Sequence, residues 1–328
     1  MNIVSVRKAA CALLCAGTIL SASATLAEGF PEKPITIIYP WASGDPTETV
    51  LRHATEIVAR ELGQPIVINN VTGAGGVKAL ATGAAADPDG YTLASNWVAA
   101  HISSKLFDPD LPYDENSFEP IVGIFAVPFT ITVANDHPAD DIAGLIEWAA
   151  AEGRSVNVGV CAAQSVPRLV GEQFFQSAEI DYNPVPSSGG CMGDNVTGLM
   201  NGSLDVSVSI VPATKQFEGQ VKHLGLLADE PHALAPHIKT VNEQGVSLGW
   251  GDVALGWGGL VAPAGTPDEV VATLQEAFSA AVQSEEFLEK VGGLKGLVKF
   301  SSPEDFEALW ASSREALEPS ITAIKAAQ

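Results

Sequence analysis

Strand-like and helix-like segments alternate along most of the chain, and this alternation limits the folds that the chain can adopt. The apolar run ITIIY (35–39) is followed by a segment with helical spacing of apolar residues, which ends at Gly63, and then by the strand-like PIVINN (65–70). The same order recurs around SVNVGV (155–160) and DVSVSIV (205–211). Strands that alternate with helices are typical of parallel sheets covered by helices. The sequence therefore predicts an α/β fold.

The first 27 residues have the three parts of a secretory signal peptide. Arg7 and Lys8 precede the apolar segment from Ala9 to Leu20, and SASATLA supplies the small residues that signal peptidase prefers before a cut after Ala27. The apolar segment is too short to span a bilayer, which needs about 20 apolar residues. We therefore expect residues 1–27 to be removed and the remaining chain to be exported.

The charge of the chain argues against a nucleic-acid partner. The 328 residues carry a net charge of −22, which becomes more negative by two when Arg7 and Lys8 leave with the signal. Nucleic-acid binding requires clustered lysine and arginine to neutralise phosphates, and this chain has the opposite balance. An anionic ligand would have to be held by local donors against this overall field.

Two cysteines, Cys161 and Cys191, remain after removal of the signal. In an oxidising compartment an isolated pair is most simply explained as a disulfide, provided that the two Cα atoms come within about 4.4–6.8 Å of each other. A metal site or a catalytic thiol fits less well, because neither cysteine has a histidine or a second cysteine close by in the sequence.

Three motifs that could indicate an enzyme or a cofactor site are incomplete. GVSLG (245–249) matches the G-x-S-x-G pattern, but the last histidine, His237, precedes Ser247, whereas hydrolases with this pattern place their histidine after the serine. The glycine-rich turn 73–76 lacks the third glycine of a dinucleotide site and the G-K-[ST] end of a P-loop. His232 and His237 are five residues apart between prolines, which does not suit a shared metal. We expect no catalytic residue, no cofactor and no bound metal.

Helix starts in this chain share a capping residue, a proline and acidic residues in that order. Examples are Asp45-Pro46-Thr47-Glu48, Thr266-Pro267-Asp268-Glu269 and Ser302-Pro303-Glu304-Asp305. A side-chain acceptor, the fixed φ of proline and negative charge near the helix dipole together favour helix initiation. Taken alone, the turn at Asp45 is explained by helix capping. The alternative is a ligand site, because a small-residue turn between a strand and a helix is a place where proteins hold anions.

The segment VGVCAAQSVPRLVGE (158–172) repeats this layout of strand, small polar turn and helix start. Ser165 can cap the predicted helix, and Arg168 falls in its first turn. A cation is unfavourable there, beside the positive end of the helix dipole. Arg168 therefore needs an anionic ligand or a partner carboxylate, and a surface salt bridge is the alternative.

Seven segments, in order and at matching spacing, resemble the substrate-binding proteins of tripartite tricarboxylate transporters, also called the Bordetella uptake gene product family. They are PEKPITIIYPWASGDPTE, LGQPIVINNVTGAGG, ADPDGYTLA, LPYDENSFEPI, NVGV followed by GEQFF, PHIKTVNEQG and LVAPAGTPDEVV. The resemblance implies two α/β domains of the periplasmic binding-protein kind, each a mostly parallel sheet flanked by helices, joined by crossing strands and closing like a Venus flytrap. On this basis we expect residues 28–126 plus 241–328 to form one domain and residues 127–240 the other.

The resemblance also implies where a ligand binds. Family members typically grip a ligand carboxylate between the loop after the first strand and the equivalent loop of the second domain. Here these loops are residues 40–48, with 73–76 nearby, and residues 160–168, with 187–190 nearby. A Cys161–Cys191 disulfide would tie the two loops of the second domain together. The expected ligand contacts are Trp41, Ser43, Gly44, Asp45, Thr47, Gly75, Ser95, Asn96, Gln164, Ser165, Arg168, Ser188 and Gly189.

The implied function is that of a monomeric periplasmic receptor, which captures a small organic acid, delivers it to the membrane subunits of a tripartite transporter and catalyses no reaction. The first loop departs from the family pattern, because Ala42-Ser43-Gly44-Asp45 replaces the usual Pro-Pro-Gly-Gly. Asp45 would repel a carboxylate on the same amides, and Arg168 could recruit one from the other side of the cleft. The alternatives are a receptor of the same fold for a neutral or amine-containing ligand, a ligand sensor for a signalling partner and, least favoured, a secreted enzyme.

Overall fold

The computed structural model describes residues 29–161, 165–187, 191–214 and 217–326. The predicted signal peptide, residues 1–27, lies outside these ranges. From Pro31 onward the chain forms one compact unit. Within the described part of the chain, no helix combines the length and the apolar composition that crossing a membrane requires.

The described strands form two sheets, and helices connect most of them. The strands are β1 (Ile35–Tyr39), β2 (Ile66–Asn70), β3 (Thr92–Trp97), β4 (Phe118–Val127), β5 (Phe129–Ala134), β6 (Val156–Val160), β7 (Tyr182–Pro186), β8 (Val206–Ile210), β9 (Val221–Leu227), β10 (Gly256–Pro263) and β11 (Val298–Ser301). The helices are α1 (Pro46–Leu62), α2 (Val77–Ala84), α3 (Ser104–Phe107), α4 (Ile142–Glu152), α5 (Val166–Ser177), α6 (Cys191–Met200), α7 (Val211–Thr214), α8 (Asp268–Gln283), α9 (Glu285–Val291) and α10 (Pro303–Ala326). The strand order is β11-β4-β10-β3-β1-β2 in the first sheet and β7-β6-β8-β5-β9 in the second.

The predicted α/β class, with two sheets flanked by helices, is confirmed, but each sheet is mixed rather than mostly parallel. β1 is parallel to β2 and β3, and β6 is parallel to β7 and β8. β10 is antiparallel to β3 and β4, β11 to β4, and β5 to β8 and β9. A parallel pair needs a long crossover connection, usually a helix. β5 follows β4 directly, so no such helix sets its direction.

The chain passes from the first sheet to the second at a single residue. β4 ends at Val127 and β5 begins at Phe129, so only Pro128 separates them. Proline has no N–H to donate and therefore interrupts strand pairing at this point. The first sheet uses residues before 128 and after 255, and the second uses residues 129–227. The strands thus divide in the same order as the predicted domains, whose boundaries stay a prediction.

Two of the predicted helix caps are confirmed. Asp45 Oδ1 accepts a hydrogen bond from the Thr47 N–H at 2.8 Å, and Ser302 Oγ accepts one from the Asp305 N–H at 3.1 Å. α1 also ends as expected at Gly63, whose φ of 69° lies in the left-handed region that glycine adopts without strain. These local signals fix where α1 and α10 begin and where α1 ends.

Two other predicted caps are wrong. α8 begins at Asp268, and the Thr266 hydroxyl donates instead to the Pro263 carbonyl at 2.7 Å, which closes a turn after β10. Ser165 occupies the capping position of α5, but its hydroxyl makes no capping hydrogen bond to the described residues. A capping side chain accepts from the second or third helical N–H, and Pro167 removes the second. Ser165 therefore does not cap α5 in the described part of the chain.

α10 packs on the first sheet, where two glycines make room for it. Gly259 of β10 lies opposite Gly123 of β4. A Cβ on Gly259 would overlap the carbonyl oxygen of Val122 and would approach Cζ of Phe306 to 2.7 Å. The ring of Phe306, which is fully buried, thus fills the space above two positions that have no side chain.

Candidate functional site

A cavity of about 630 Å³ lies where strands of both sheets end and α1 and α5 begin. Parallel strands end at the same edge of a sheet, so the loops that follow β1, β6 and β7 meet there. The described residues on the wall of this cavity are Trp41, Asp45, Pro46, Thr47, Gly75, Trp97, Val98, Ala99, Ser104, Val127, Phe129, Cys161, Ser165, Val166, Pro167, Ser187, Ile210, Pro212, Gly256 and Leu297.

Apolar side chains make up most of this wall. Among the described wall residues, Asp45 is the one charged side chain, and there is no lysine, arginine or histidine. Pockets of this kind bind the body of a ligand through apolar contact and fix its orientation through a few polar groups. The few polar groups on the wall therefore decide which ligand the cavity selects.

Two tryptophans form an aromatic part of the wall. The rings of Trp41 and Trp97 meet edge to face, with centroids 6.0 Å apart. Trp97 is stacked on Phe125 at 5.0 Å, and the two rings meet over Gly258, where a Cβ would approach the Trp97 ring to 2.7 Å. The carbonyl of Trp41 accepts a hydrogen bond from Asn70 at 2.9 Å. Both rings are therefore held in place by the first sheet.

The donors at the N-terminus of α1 are used by the protein's own carboxylates. The Gly44 N–H donates to Glu48 Oε2 at 2.6 Å, and the Thr47 N–H donates to Asp45 Oδ1. The hydroxyls of Thr47 and Tyr39 also donate to Asp45 Oδ1. Burial and the charge of Asp45 raise the pKa of the Tyr39 hydroxyl, which keeps it a donor. An anion at this end would meet amides that are already occupied.

The N-terminus of α5 has the opposite character. The Oγ atoms of Ser165 and Ser187 are buried on this side of the wall and have no hydrogen-bond partner among the described residues. Ser104, on the wall from the first-sheet side, is 5% exposed, and its Oγ likewise has no described partner. Buried hydroxyls without partners are costly in a folded protein. A ligand that accepts hydrogen bonds would satisfy them.

Ten of the thirteen predicted contacts fall into three groups. Trp41, Asp45, Thr47, Gly75 and Ser165 lie on the cavity wall. Ser43 and Gly44 are exposed in the first loop and are not among the described wall residues. Gln164, Ser188 and Gly189 lie outside the described residues. Ligand contact by any of them stays a prediction.

Ser95 and Asn96 are buried behind the wall rather than on its described surface. Ser95 Oγ accepts from Trp97 Nε1 at 3.0 Å, and Asn96 Nδ2 lies 2.9 Å from His101 Nδ1. Both residues are less than 3% exposed. The structure thus gives them a role in holding Trp97 and His101, and ligand contact by either is untested.

Arg168 pairs with a carboxylate of the protein, which is one of the explanations expected from its position in the first turn of α5. Its Nη2 lies 3.6 Å from Glu172 Oε1, one helical turn further along α5. The side chains of Arg168 and Glu172 are 15% and 10% exposed, so this is a largely buried pair rather than a surface salt bridge. Arg168 is not among the described wall residues, and its contact with a ligand remains untested.

Several wall residues were not predicted from the sequence. Trp97 ends a buried strand, a position at which α/β proteins bind ligands, so its location was a usable signal. Ser104 follows an irregular π-helical turn (99–103) that no sequence pattern indicates. Phe129 reaches the wall because β5 starts directly after Pro128, which depends on the crossing between the sheets.

The sequence pattern of the family described as "Tripartite tricarboxylate transporter family receptor" matches residues 50–298, about three quarters of the chain. The chain belongs to this family. The receptor is also similar to a UPF0065 protein of Bordetella pertussis (strain Tohama I), with 30% identity over 278 residues that cover 83% of each chain. The resemblance inferred from the seven segments is thereby confirmed.

Solved structures agree with this assignment. MatC from Rhodopseudomonas palustris with bound malate is 28% identical, with a TM-score of 0.71, and the match covers 89% of this receptor and 100% of MatC. The R. palustris protein Rpa4515 with adipate is 25% identical, with a TM-score of 0.75, and the match covers 90% and 98%. As a member of this receptor family, the chain is a solute-binding receptor of the periplasmic type and not an enzyme.

Proposed function

We propose that this receptor binds a small solute with a carboxylate in the cavity and delivers it to the membrane subunits of a tripartite transporter. The observation that carries the proposal is the N-terminus of α5, where Ser165 makes no capping hydrogen bond and the hydroxyls of Ser165 and Ser187 have no described partner. A helix N-terminus favours an anion, and each hydroxyl would gain a charge-assisted hydrogen bond from a carboxylate.

The related structures support the same ligand class. MatC holds malate and Rpa4515 holds adipate, and both molecules are carboxylates. These two acids differ in length and in polarity, so they support a carboxylate group rather than one particular acid. The mostly apolar wall of this receptor favours an acid with an apolar body.

The proposal includes the route and the motion of the receptor. Cleavage after Ala27 would release it into the periplasm as a monomer. Residues 28–126 plus 241–328 would then close against residues 127–240 around the solute. The division of the strands between two sheets, with the cavity wall drawn from both, supports this motion.

A ligand screen tests the proposal directly. Thermal unfolding would be followed with mono-, di- and tricarboxylates, aromatic acids, amino acids and amines. A ligand at 100 times its Kd stabilises the folded state by about 2.7 kcal/mol, which raises the melting temperature measurably. We expect at least one carboxylate to do so. An increase with amines that lack a carboxylate, and with nothing else, would contradict the proposal.

Alanine variants at Ser165, before α5, and at Ser187, after β7, test the site. Ser165→Ala and Ser187→Ala should each lower the affinity for the acid found by the screen about tenfold, because each removes a hydrogen bond to a charged group. Isothermal titration calorimetry would measure the affinity. Ser312→Ala on the exposed face of α10 is the matched control, with unchanged affinity expected. Unchanged affinity in the Ser165/Ser187 double variant would exclude this end of the cavity as the carboxylate site.

The predicted disulfide stays part of the proposal. Cys161 lies on the cavity wall and Cys191 begins α6, so a bridge would join the loops after β6 and β7 and pre-organise them. The side chain of Cys191 lies outside the described part of the structure. Alkylation of the unreduced, unfolded protein followed by mass spectrometry should label no cysteine of the processed chain. Two labelled thiols would refute the bridge.

A further inference from the structure

The two helix N-termini at the cavity are chemically opposite. At α5 no side chain of the described residues caps the helix, and two serine hydroxyls are unpaired. At α1 the amides of Gly44 and Thr47 already donate to Glu48 and Asp45, at 2.6 and 2.8 Å. A ligand carboxylate that reaches Ser165 and Ser187 therefore finds unpaired hydroxyls, whereas one at α1 meets the carboxylates of Asp45 and Glu48.

Asp45 keeps part of its hydrogen-bonding capacity. Its hydrogen bonds from Thr47 and Tyr39 all end on Oδ1, so Oδ2 has no donor among the described residues. Asp45 lies on the cavity wall, and no described wall residue is a lysine, arginine or histidine that could neutralise it. Charges interact more strongly in a partly buried site than in bulk water. A second ligand carboxylate at this end would be repelled, whereas a cation would be attracted.

The aromatic part of the wall favours the same kind of group. Trp41 and Trp97 line the cavity together with Asp45, and their rings are held by contacts with each other and with Phe125. Indole faces bind ammonium groups through cation–π attraction, which is stronger for tryptophan than for other aromatic residues. An acidic residue combined with two fixed indoles is a chemical environment for an alkylammonium group.

We propose that the ligand is zwitterionic: an amino acid or betaine with its ammonium group against Asp45, Trp41 and Trp97 and its carboxylate at Ser165 and Ser187. The apolar wall between these ends would contact the carbon chain that separates the two charges. This inference rests on the proposed function, because it needs the carboxylate to bind at α5. It adds a requirement that simple mono- and dicarboxylates do not meet.

Matched ligand series test the inference on the unmodified, processed receptor. The first series contains ω-amino acids with three to six carbons and their trimethylammonium derivatives. The second contains the monocarboxylates of the same length, and the third contains the dicarboxylates. We expect the best ammonium compound to bind at least tenfold more tightly than both the monocarboxylate and the dicarboxylate of equal length, as measured by calorimetry.

Two variants locate the ammonium group. Asp45→Asn keeps a residue that caps helices well and removes the charge, so the protein should still fold. It should weaken the affinity for the best ammonium compound at least tenfold. The affinity for the monocarboxylate of equal length should change by less than about twofold, because that compound has no cation that would lose its partner. Asp268→Asn removes a charge from the exposed first turn of α8 and is the matched control, expected to leave both affinities unchanged.

The outcomes separate the two proposals. If a dicarboxylate or monocarboxylate binds as tightly as the ammonium compound, and Asp45→Asn strengthens dicarboxylate binding, the zwitterion is refuted while the carboxylate receptor stands. If no compound of the three series binds but another acid of the wider screen does, the zwitterion is refuted and the carboxylate receptor stands; if no carboxylate of the wider screen binds, both proposals are refuted. A wild-type preference for the ammonium compounds that is lost in Asp45→Asn and kept in Asp268→Asn supports the inference.

Discussion

Replacing Gly259 by alanine should lower the free energy of unfolding by at least about 3 kcal/mol, which corresponds to a fall of roughly 5 °C in the melting temperature of a chain of this size. Gly259 pairs with Asn96 of β3 on one side and with Gly123 of β4 on the other. The new Cβ would overlap the carbonyl oxygen of Val122, a backbone atom that cannot rotate away. The ring of Phe306 closes the remaining space.

A second alanine variant controls for the general effect of removing a glycine. Gly193 lies inside α6, and a Cβ there meets no described atom within 4 Å. Gly193→Ala should be neutral or stabilising by up to about 1 kcal/mol, because alanine favours the helix. Urea unfolding would measure both variants. A Gly259→Ala protein as stable as the wild type would show that β4 and β10 can separate without cost, contrary to the packing of α10.

Acidification from pH 6.5 to pH 4 should destabilise the receptor strongly. Burial lowers the pKa of His101 to about 3 and that of His223 to about 4. His137 and His232 shift in the same direction, again chiefly through burial. Histidines of the unfolded chain bind protons below about pH 6.5, whereas the pKa of each of these four histidines is lower in the folded chain. Protonation therefore favours the unfolded state throughout this window.

The expected size of the acid effect follows from the largest shift. One unit of pKa difference is worth about 1.4 kcal/mol, so His101 alone should remove roughly 3 kcal/mol of stability by pH 4. Urea unfolding at pH 7, 6, 5 and 4 would measure the loss. The imidazole signals of His101 and His223 in NMR spectra provide the check. Titration of His101 near pH 6.5 in the folded protein would contradict this explanation.

The sequence was sufficient for features that depend on short segments. The capping of α1 by Asp45 and its end at Gly63 follow from residues next to the helix, and both are as predicted. The α/β class follows from the periodicity of the same segments. The failed cap at Thr266 shows the limit of such reasoning, because its hydroxyl found a turn carbonyl that competes with the helix.

The candidate site was only partly predictable, because its wall combines residues that are distant in the chain. Both loops at the cavity were expected from the family resemblance, and Trp41, Asp45 and Ser165 lie there. Ser104 and Phe129 join them only through the packing of α3 and the crossing between the sheets. The hydrogen bond from the Gly44 N–H to the Glu48 carboxylate was also not predicted. A glutamate three residues after a capping residue commonly accepts such a bond from the backbone at the helix start.

The single proline between β4 and β5 has a mechanical consequence. Its ring fixes φ of Pro128, so along this crossing a rotation of one sheet relative to the other must be absorbed by ψ of Pro128 and by the torsions of Val127 and Phe129. Val127 and Phe129 are themselves on the cavity wall. If the two halves close as proposed, a solute in the cavity would contact the residues about which they pivot. A change in the shape of the solute would then act directly on the backbone torsions at this crossing, without first altering the packing of other parts of the protein.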